Sequence, residues 1–146
     1  MLKYLHFILG FYLLACIAES NADCEIPITL RGRWFSWEKR NVITEIDANS
    51  MSLRGYCVDI KDDYHQNYTI IFGQNRCYTC VKFLIRTVNV LDKIEKTCMN
   101  IAEGEEVSIE RVCKNVEQDQ SLTTLFAENY TPVNCRSSIE GMYNFA

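Results

Sequence analysis

Between Cys24 and Cys98, short runs rich in β-branched and aromatic residues alternate with short polar turns. In the longest run, residues 77–90, apolar residues such as Val81 and Phe83 alternate with mostly polar or charged neighbours. A period of two residues is typical of a strand with one buried face. The run is long for one strand, so we expect it to bend or break near Thr87.

The same residue types predict further antiparallel strands before this run. Residues 42–46 are mostly β-branched, the polar residues 47–50 form a turn, and residues 51–54 begin a return strand. Two more extended runs follow at 56–60 and 68–72. The order of runs and turns therefore predicts a succession of hairpins.

After Cys98 the spacing of apolar residues changes. Four of them recur with the spacing of one helix face: Ile109, Val112, Cys113 and Val116. A second short helical turn is expected farther on, with Asp119 as its cap and three apolar residues on one side: Leu122, Leu125 and Phe126. The predicted fold is mainly β, a small disulfide-stapled antiparallel sheet or barrel with one or two short C-terminal helices.

The N-terminus has the composition of a secretory signal peptide. Lys3 precedes an apolar stretch, residues 4–18, that is shorter than the roughly 20 residues a membrane-spanning helix needs. Ser20 and Ala22 stand at the two positions that signal peptidase reads. We expect a signal peptide at 1–22, a cysteine-rich β domain at 23–134, and the start of a following segment, or a truncated one, at 135–146.

Two other interpretations of the leader are an uncleaved anchor and a bacterial lipoprotein box that would place a lipid on Cys16. Two glycosylation sequons argue against the lipoprotein, because they are typical of eukaryotic export. They begin at Asn67 and Asn129, and both asparagines are predicted to carry glycans. The predicted location is therefore secreted or extracellular, with no membrane span in the mature chain.

The chain has eight cysteines, and Cys16 leaves with the leader. In an oxidising compartment this density predicts a disulfide framework built from six residues: Cys24, Cys57, Cys77, Cys80, Cys98 and Cys113. Cys135 is then left over. Its thiol is free, or pairs between chains, or has a partner beyond Ala146, and we favour the last of these. The pairing of the other six is open.

Cys77 and Cys80 have the spacing of a redox motif and of half a zinc site. A thioredoxin-type pair lies at a helix N-terminus, whereas this pair opens a predicted strand, and no second Cys/His pair at short spacing completes a metal site. Positions three apart on a strand point to opposite sides. We therefore predict two structural disulfides with different partners, and no metal or cofactor.

Enzymatic chemistry has few candidate residues in this chain. His65 is the single histidine outside the leader, and it stands in a polar loop. Elsewhere the sequence has neither a serine-centred nucleophile elbow nor a glycine-rich phosphate loop. The net charge is −4, and no stripe of basic residues suggests nucleic-acid binding. We predict that the chain is not an enzyme.

Gly32 and Trp34 resemble the G-x-W signature of lipocalins, in which the tryptophan seals one end of an up-and-down barrel. The alternative is a tryptophan that plugs a small β core. Trp34, Phe72 and Phe83 are accordingly predicted either to form the core or to line a site for a small apolar ligand.

Taken together, six short motifs resemble one known arrangement: Cys24-x-Ile26-Pro27, Arg31 to Phe35, Gly55-Tyr56-Cys57, Cys77 to Cys80, Asn89-Val90-Leu91 and Pro132 to Cys135. It is similar to the N-terminal cysteine-rich domain of secreted or membrane-tethered multidomain proteins of invertebrates, best represented in arthropods. That family is classed as a domain of unknown function. The resemblance implies an extracellular location and further domains after the last cysteine, and no catalytic residues.

The function predicted from these observations is a secreted, non-catalytic module that binds an extracellular protein or the cell surface. The alternative is a lipocalin-like carrier of a small apolar ligand. A closed barrel with a cavity of several hundred cubic ångströms lined by aromatic residues would favour the carrier, and a filled core with an exposed aromatic patch would favour the interaction module.

Overall fold

A computed structural model describes residues 24–37, 42–118 and 122–133. Within them lie nine strands: β1 (Gly32–Ser36), β2 (Ile43–Ile46), β3 (Ser50–Met51), β4 (Gly55–Asp62), β5 (Asn67–Gln74), β6 (Cys77–Thr87), β7 (Val90–Glu95), β8 (Met99–Asn100) and β9 (Thr123–Ala127). One short helix, α1, spans Ile109–Val112. The predicted leader at 1–22, Cys135 and the segment 135–146 fall outside the described residues.

Eight of these strands close into an antiparallel barrel. Strands β1 to β7 follow one another around it, and β9 returns to fill the gap between β7 and β1. The remaining strand, β8, pairs with the start of β6. The mainly β prediction is confirmed in its barrel form, and β6 ends at Thr87, beside an irregularity in its pairing with β7.

One part of the sequence prediction was wrong. The apolar residues assigned to a second short helix lie instead in or beside β9, where Leu125 points into the barrel and is 2% exposed. Phe126 points outward and contacts Phe35 on β1, with ring centroids 5.7 Å apart. This segment forms a strand because it can pair with the open edges of both β1 and β7. The backbone hydrogen bonds gained there outweigh the local preference for a helix.

The helix α1 is also shorter than the apolar stripe predicted. It ends at Val112, and the chain continues in turns to Gln118, while Cys113 and Val116 remain buried against the barrel. The stripe thus reported the buried side of this segment correctly, although only part of it is helical.

The barrel interior is filled with apolar side chains. Its fully buried members include Phe72 on β5, Phe83 on β6 and Leu91 on β7. The segment before β1 enters the same core, because Ile26 and Leu30 are both fully buried there. This N-terminal segment plugs one end of the barrel, which we call the plugged end.

A second apolar cluster covers the outside of the barrel beside α1. It contains Ile71, Cys80, Ile101, Val112, Cys113 and Val116. Ile70 and Phe72 face the interior while Ile71 faces this outer cluster. Strand β5 is therefore buried on both faces, which explains its continuous apolar run. Among the described residues, no helix has the length and apolar character required to cross a bilayer.

Three disulfides fasten the parts that are not barrel strands. Cys24–Cys57 ties the N-terminal segment to β4, Cys77–Cys98 ties the chain after β7 to β6, and Cys80–Cys113 ties the end of α1 to β6. Cys77 and Cys80 thus have different partners, in agreement with the strand geometry. In the chain-entropy account, each bridge stabilises the fold by about 3 to 4 kcal/mol, because it lowers the conformational entropy of the unfolded chain.

Candidate functional site

The barrel is open at the end opposite the N-terminal segment. We call this end the mouth, and it is where β1, β3 and β7 finish and β2, β4 and β9 begin. A cavity of about 340 Å³ lies there. Among the described residues, those that line this mouth cavity are Ser36, Val42, Thr44, Met51, Ser52, Leu53, Arg54, Lys93, Thr123 and Leu125.

The inner face of β7 changes from apolar to charged as the strand approaches the mouth. Lys93 lies directly opposite Phe83 in the β6–β7 pairing, so both side chains project from the inner face. Leu91, one step deeper, is fully buried, whereas the side chains of Lys93 and Glu95 keep 14% and 19% of their exposure. The floor of the mouth cavity is therefore charged.

Arg54, Lys93 and Glu95 form an ion-paired group that we call the mouth cluster. The Lys93 ammonium donates to Glu95 Oε2 at 2.7 Å, and the Arg54 guanidinium donates through Nε to Glu95 Oε1. Arg54 Nη1 also donates to the carbonyl oxygen of Leu53 at 2.9 Å. The two cations share one carboxylate, which leaves one positive charge in the cluster.

The protonation of Glu95 follows from these contacts. Burial by itself would raise the pKa of this carboxyl group. The hydrogen bonds and charges of Lys93 and Arg54 act in the opposite direction and prevail, so the pKa of Glu95 lies below its ordinary value. Glu95 is therefore ionised at neutral pH, and its negative charge offsets one of the two positive charges beside it.

Large apolar side chains surround the mouth on its outer edge. Trp37 follows β1, Val42 precedes β2, Leu53 lies in the turn between β3 and β4, and Leu122 precedes β9. Their exposed fractions are 68%, 43%, 74% and 46%. We call these four residues the mouth rim. Exposed apolar residues gathered at one end of a molecule are typical of a binding surface.

The aromatic residues singled out in the sequence belong to the core. Trp34, Phe72 and Phe83 are 3%, 0% and 0% exposed, and none of them lines the mouth cavity. Trp34 instead donates from its indole Nε1 to the carbonyl oxygen of Leu30 at 2.9 Å and seals the plugged end. Of the two roles predicted for these side chains, the structure gives them that of core residues.

The remaining predicted residues lie away from the mouth. His65 is exposed in the β4–β5 turn with a φ of 53°. Asn129 is exposed just after β9, whereas Asn67 is half-buried at the first position of β5. Within the part of the chain that the structure describes, no three His, Cys, Asp or Glu side chains come together as a metal site.

Sequence reasoning missed the mouth cluster. Residues 90–95 place Leu91, Lys93 and Glu95 on one face, and Ile94 on the other. Without the strand pairing, Ile94 is the obvious inward residue, but it packs outside the barrel in the cluster beside α1. The available signal was the spacing of two residues between Leu91 and Lys93, which places both side chains on the same face of the strand.

Comparison with known proteins gives one match. A family model described as "Domain of unknown function (DUF7044)" matches residues 22–118, which include strands β1 to β8 and helix α1. The closing strand β9 follows the matched region. No curated protein and no solved structure was found to match the chain. The match spans most of the chain, which therefore belongs to the DUF7044 family, an uncharacterised domain family.

Proposed function

We propose that this chain is a secreted, non-catalytic extracellular module that binds another protein through its mouth rim. The three disulfides support an oxidising compartment, where such bridges form and persist. The filled core supports a role at the surface rather than in a deep interior cavity.

The observation that carries this proposal is the exposure of the mouth rim. Leu53 is 74% exposed and Trp37 is 68% exposed, whereas Met51 on β3 and Trp34 on β1 are each only 3% exposed. Protein interfaces combine an apolar centre with polar groups at hand, and aromatic and arginine side chains are enriched in them. Trp37 and Arg54 supply both types here.

The proposal is tested with a photo-crosslinking amino acid placed at position 53 and, in a separate control protein, at position 28. Ile28 is 79% exposed and lies at the plugged end, so the two positions match in exposure and differ in location. The tagged proteins are secreted from eukaryotic cells and applied to intact cells in their extracellular medium. We expect a discrete protein adduct from position 53 only, and we expect unlabelled wild-type protein to compete it away.

Leu53→Asp serves as the competitor variant, because aspartate tolerates the left-handed φ of 64° at this position. It should fail to compete, whereas Ile28→Asp should compete as wild type does. Equal adducts from both positions, or full competition by Leu53→Asp, would contradict binding through the mouth rim.

A second candidate function is the carriage of a small ligand. The mouth cavity of about 340 Å³ favours it, since small-molecule sites begin at about 300 Å³. Its walls differ from those expected of an apolar carrier, because they contain charged and hydroxyl groups in place of aromatic rings.

A further inference from the structure

We propose that the mouth cavity is a binding site for a small amphipathic organic acid, whose carboxylate lies between Arg54 and Lys93. This inference extends the second candidate function by naming the chemical class of the ligand. It does not require that a protein binds to the mouth rim.

Arg54 and Lys93 keep hydrogen-bond donors that their contacts among the described residues do not use. A guanidinium group has five N–H donors, and the contacts of Arg54 among the described residues use two of them. The Lys93 ammonium has three, and its contact with Glu95 uses one. Donors remain on both cations that line the cavity. A carboxylate accepts bidentate hydrogen bonds from a guanidinium fork, which makes it the matching group.

The charge of the mouth cluster favours a monoanion as the ligand. The mouth cluster retains a single positive charge, and none of the described residues that line the cavity is acidic. A monoanion neutralises that charge, whereas a dianion would leave an excess negative charge beside Glu95. The side chains of Lys93 and Arg54 are 14% and 35% exposed, so solvent screens them less than it screens fully exposed cations.

The walls above the two cations combine apolar and hydroxyl groups. Met51 and Leu125 contribute buried apolar surface, being 3% and 2% exposed, and Val42 and Leu53 continue that surface to the mouth rim. Thr44 and Thr123 add hydroxyl groups. A ligand with a carboxylate head and a short apolar tail matches this sequence of charged floor, mixed wall and apolar edge. The volume of about 340 Å³ selects a small organic acid rather than a long-chain lipid.

Glu95 acts as a positioning residue in this site. Its two carboxylate oxygens accept from different cations, Oε1 from Arg54 and Oε2 from Lys93, and so fix the separation of the two groups. Holding both side chains in place before binding reduces the entropy that a ligand must overcome to order them.

The test compares three probes with the same eight-carbon tail: octanoate, octanol and octylammonium. Each is titrated into the secreted, disulfide-bonded protein at pH 7 and followed by ¹H–¹⁵N NMR, with calorimetry for affinity. We expect octanoate to shift amides at the mouth, such as those of Leu53, Lys93 and Thr123. Octanol should bind about tenfold more weakly or worse, since a charge-assisted pair is lost, and octylammonium should not bind there.

Variants of the protein provide the second arm of the test. Arg54→Met should weaken octanoate binding about tenfold while leaving octanol unchanged. Arg33→Met is the matched control, because Arg33 pairs with Glu45 and Glu128 away from the mouth cavity, and it should bind octanoate as wild type does. Unfolded variants would be recognised by loss of amide dispersion. The wild-type protein then still tests the idea through salt, because added sodium chloride should weaken octanoate and spare octanol.

The proposal is overturned if octanoate and octanol bind equally, if the shifts lie away from the mouth, or if octanoate does not bind at millimolar concentration. The crosslinking experiment at position 53 reads a protein adduct and is independent of these probes. Failure of the ligand site and failure of the protein-binding role are therefore distinguishable.

Discussion

The indole Nε1 of Trp34 donates a buried hydrogen bond to the backbone carbonyl oxygen of Leu30, 2.9 Å away. Trp34 is on β1, and Leu30 belongs to the segment that plugs the barrel. The contact therefore joins the first barrel strand to its own preceding residues, at the end of the barrel opposite the mouth.

Trp34→Phe removes this donor and leaves the Leu30 carbonyl without a partner. The free energy of unfolding should fall by about 1 to 3 kcal/mol from the unpaired carbonyl alone, with a further loss from the smaller ring. Urea unfolding measures the change. Tyr64→Phe is the control, because Tyr64 is 81% exposed, and its effect should stay within about 0.5 kcal/mol. Equal stability of Trp34→Phe and wild type would contradict the role of the indole.

Gly55 and Gly104 both have a positive φ but differ in their surroundings, so their alanine variants can be compared. Gly55 begins β4 beside β5, and Gly104 lies in a surface turn. Gly55 has a φ of 92°, and a Cβ there would lie 2.2 Å from the carbonyl oxygen of Gly73. Gly104 has a φ of 85°, with nothing within 4 Å of its Cβ position. Gly104→Ala should cost about 1 to 3 kcal/mol from backbone strain alone, and Gly55→Ala should cost clearly more. Thermal unfolding of both variants in parallel checks the order, and a reversed order would contradict the close approach.

Asp92 is expected to make the barrel sensitive to acid. Burial by itself would raise its pKa, but hydrogen bonds from Thr124 and Arg86 and the charge of Arg86 lower the pKa overall. A carboxyl group with a lowered folded-state pKa stabilises the fold above its unfolded pKa of about 3.9, and that stability is lost as the pH falls through the folded value.

The free energy of unfolding should therefore decrease as the pH is lowered below about 4, and Asp92→Asn should show a shallower decrease over the same range. Urea titrations at several pH values give the slope. Glu95, whose pKa is also lowered, supplies a remaining part of the dependence in the variant. If the free energy of unfolding had the same pH dependence in Asp92→Asn and in wild type, the Asp92 carboxyl group would not be the source of the acid sensitivity.

The two sequons are expected to differ in glycan occupancy. Thr69, the third residue of the Asn67 sequon, is 5% exposed, and its hydroxyl donates to the Asp63 carboxylate. A glycan at Asn67 must then be attached before the β4–β5 hairpin closes, whereas Asn129 stays exposed after folding.

Glycopeptide mass spectrometry of protein secreted from eukaryotic cells should find higher occupancy at Asn129 than at Asn67. Asn129→Gln should remove most of the glycan mass, and Asn67→Gln should remove less. Higher occupancy at Asn67 would show that the closed hairpin does not limit its modification.

Much of the barrel was predictable because burial imposes a period of two on its strands. Val81 and Phe83 alternate with Lys82, and β6 accordingly runs to Thr87 with these two residues inside. The segment containing Leu125 was mispredicted, since three apolar residues can satisfy a helical spacing as well as a strand, and only the open edges of β1 and β7 decide between them.

The mouth cluster could not be predicted in the same way. Whether Lys93 or Ile94 faces inward depends on the pairing with β6, because a shift by one residue exchanges the two faces. The contact of Arg54 with Glu95 also joins residues far apart in sequence. Disulfide pairing was open for a similar reason, since six cysteines allow many connectivities.

The proposed function requires a barrel that is crosslinked after export, and direct mapping of its disulfides tests this requirement. Protein secreted from eukaryotic cells should be digested without reduction and its linked peptides sequenced. We predict Cys24–Cys57, Cys77–Cys98 and Cys80–Cys113. Free thiols at these six positions, or a bridge between Cys77 and Cys80, would contradict the account.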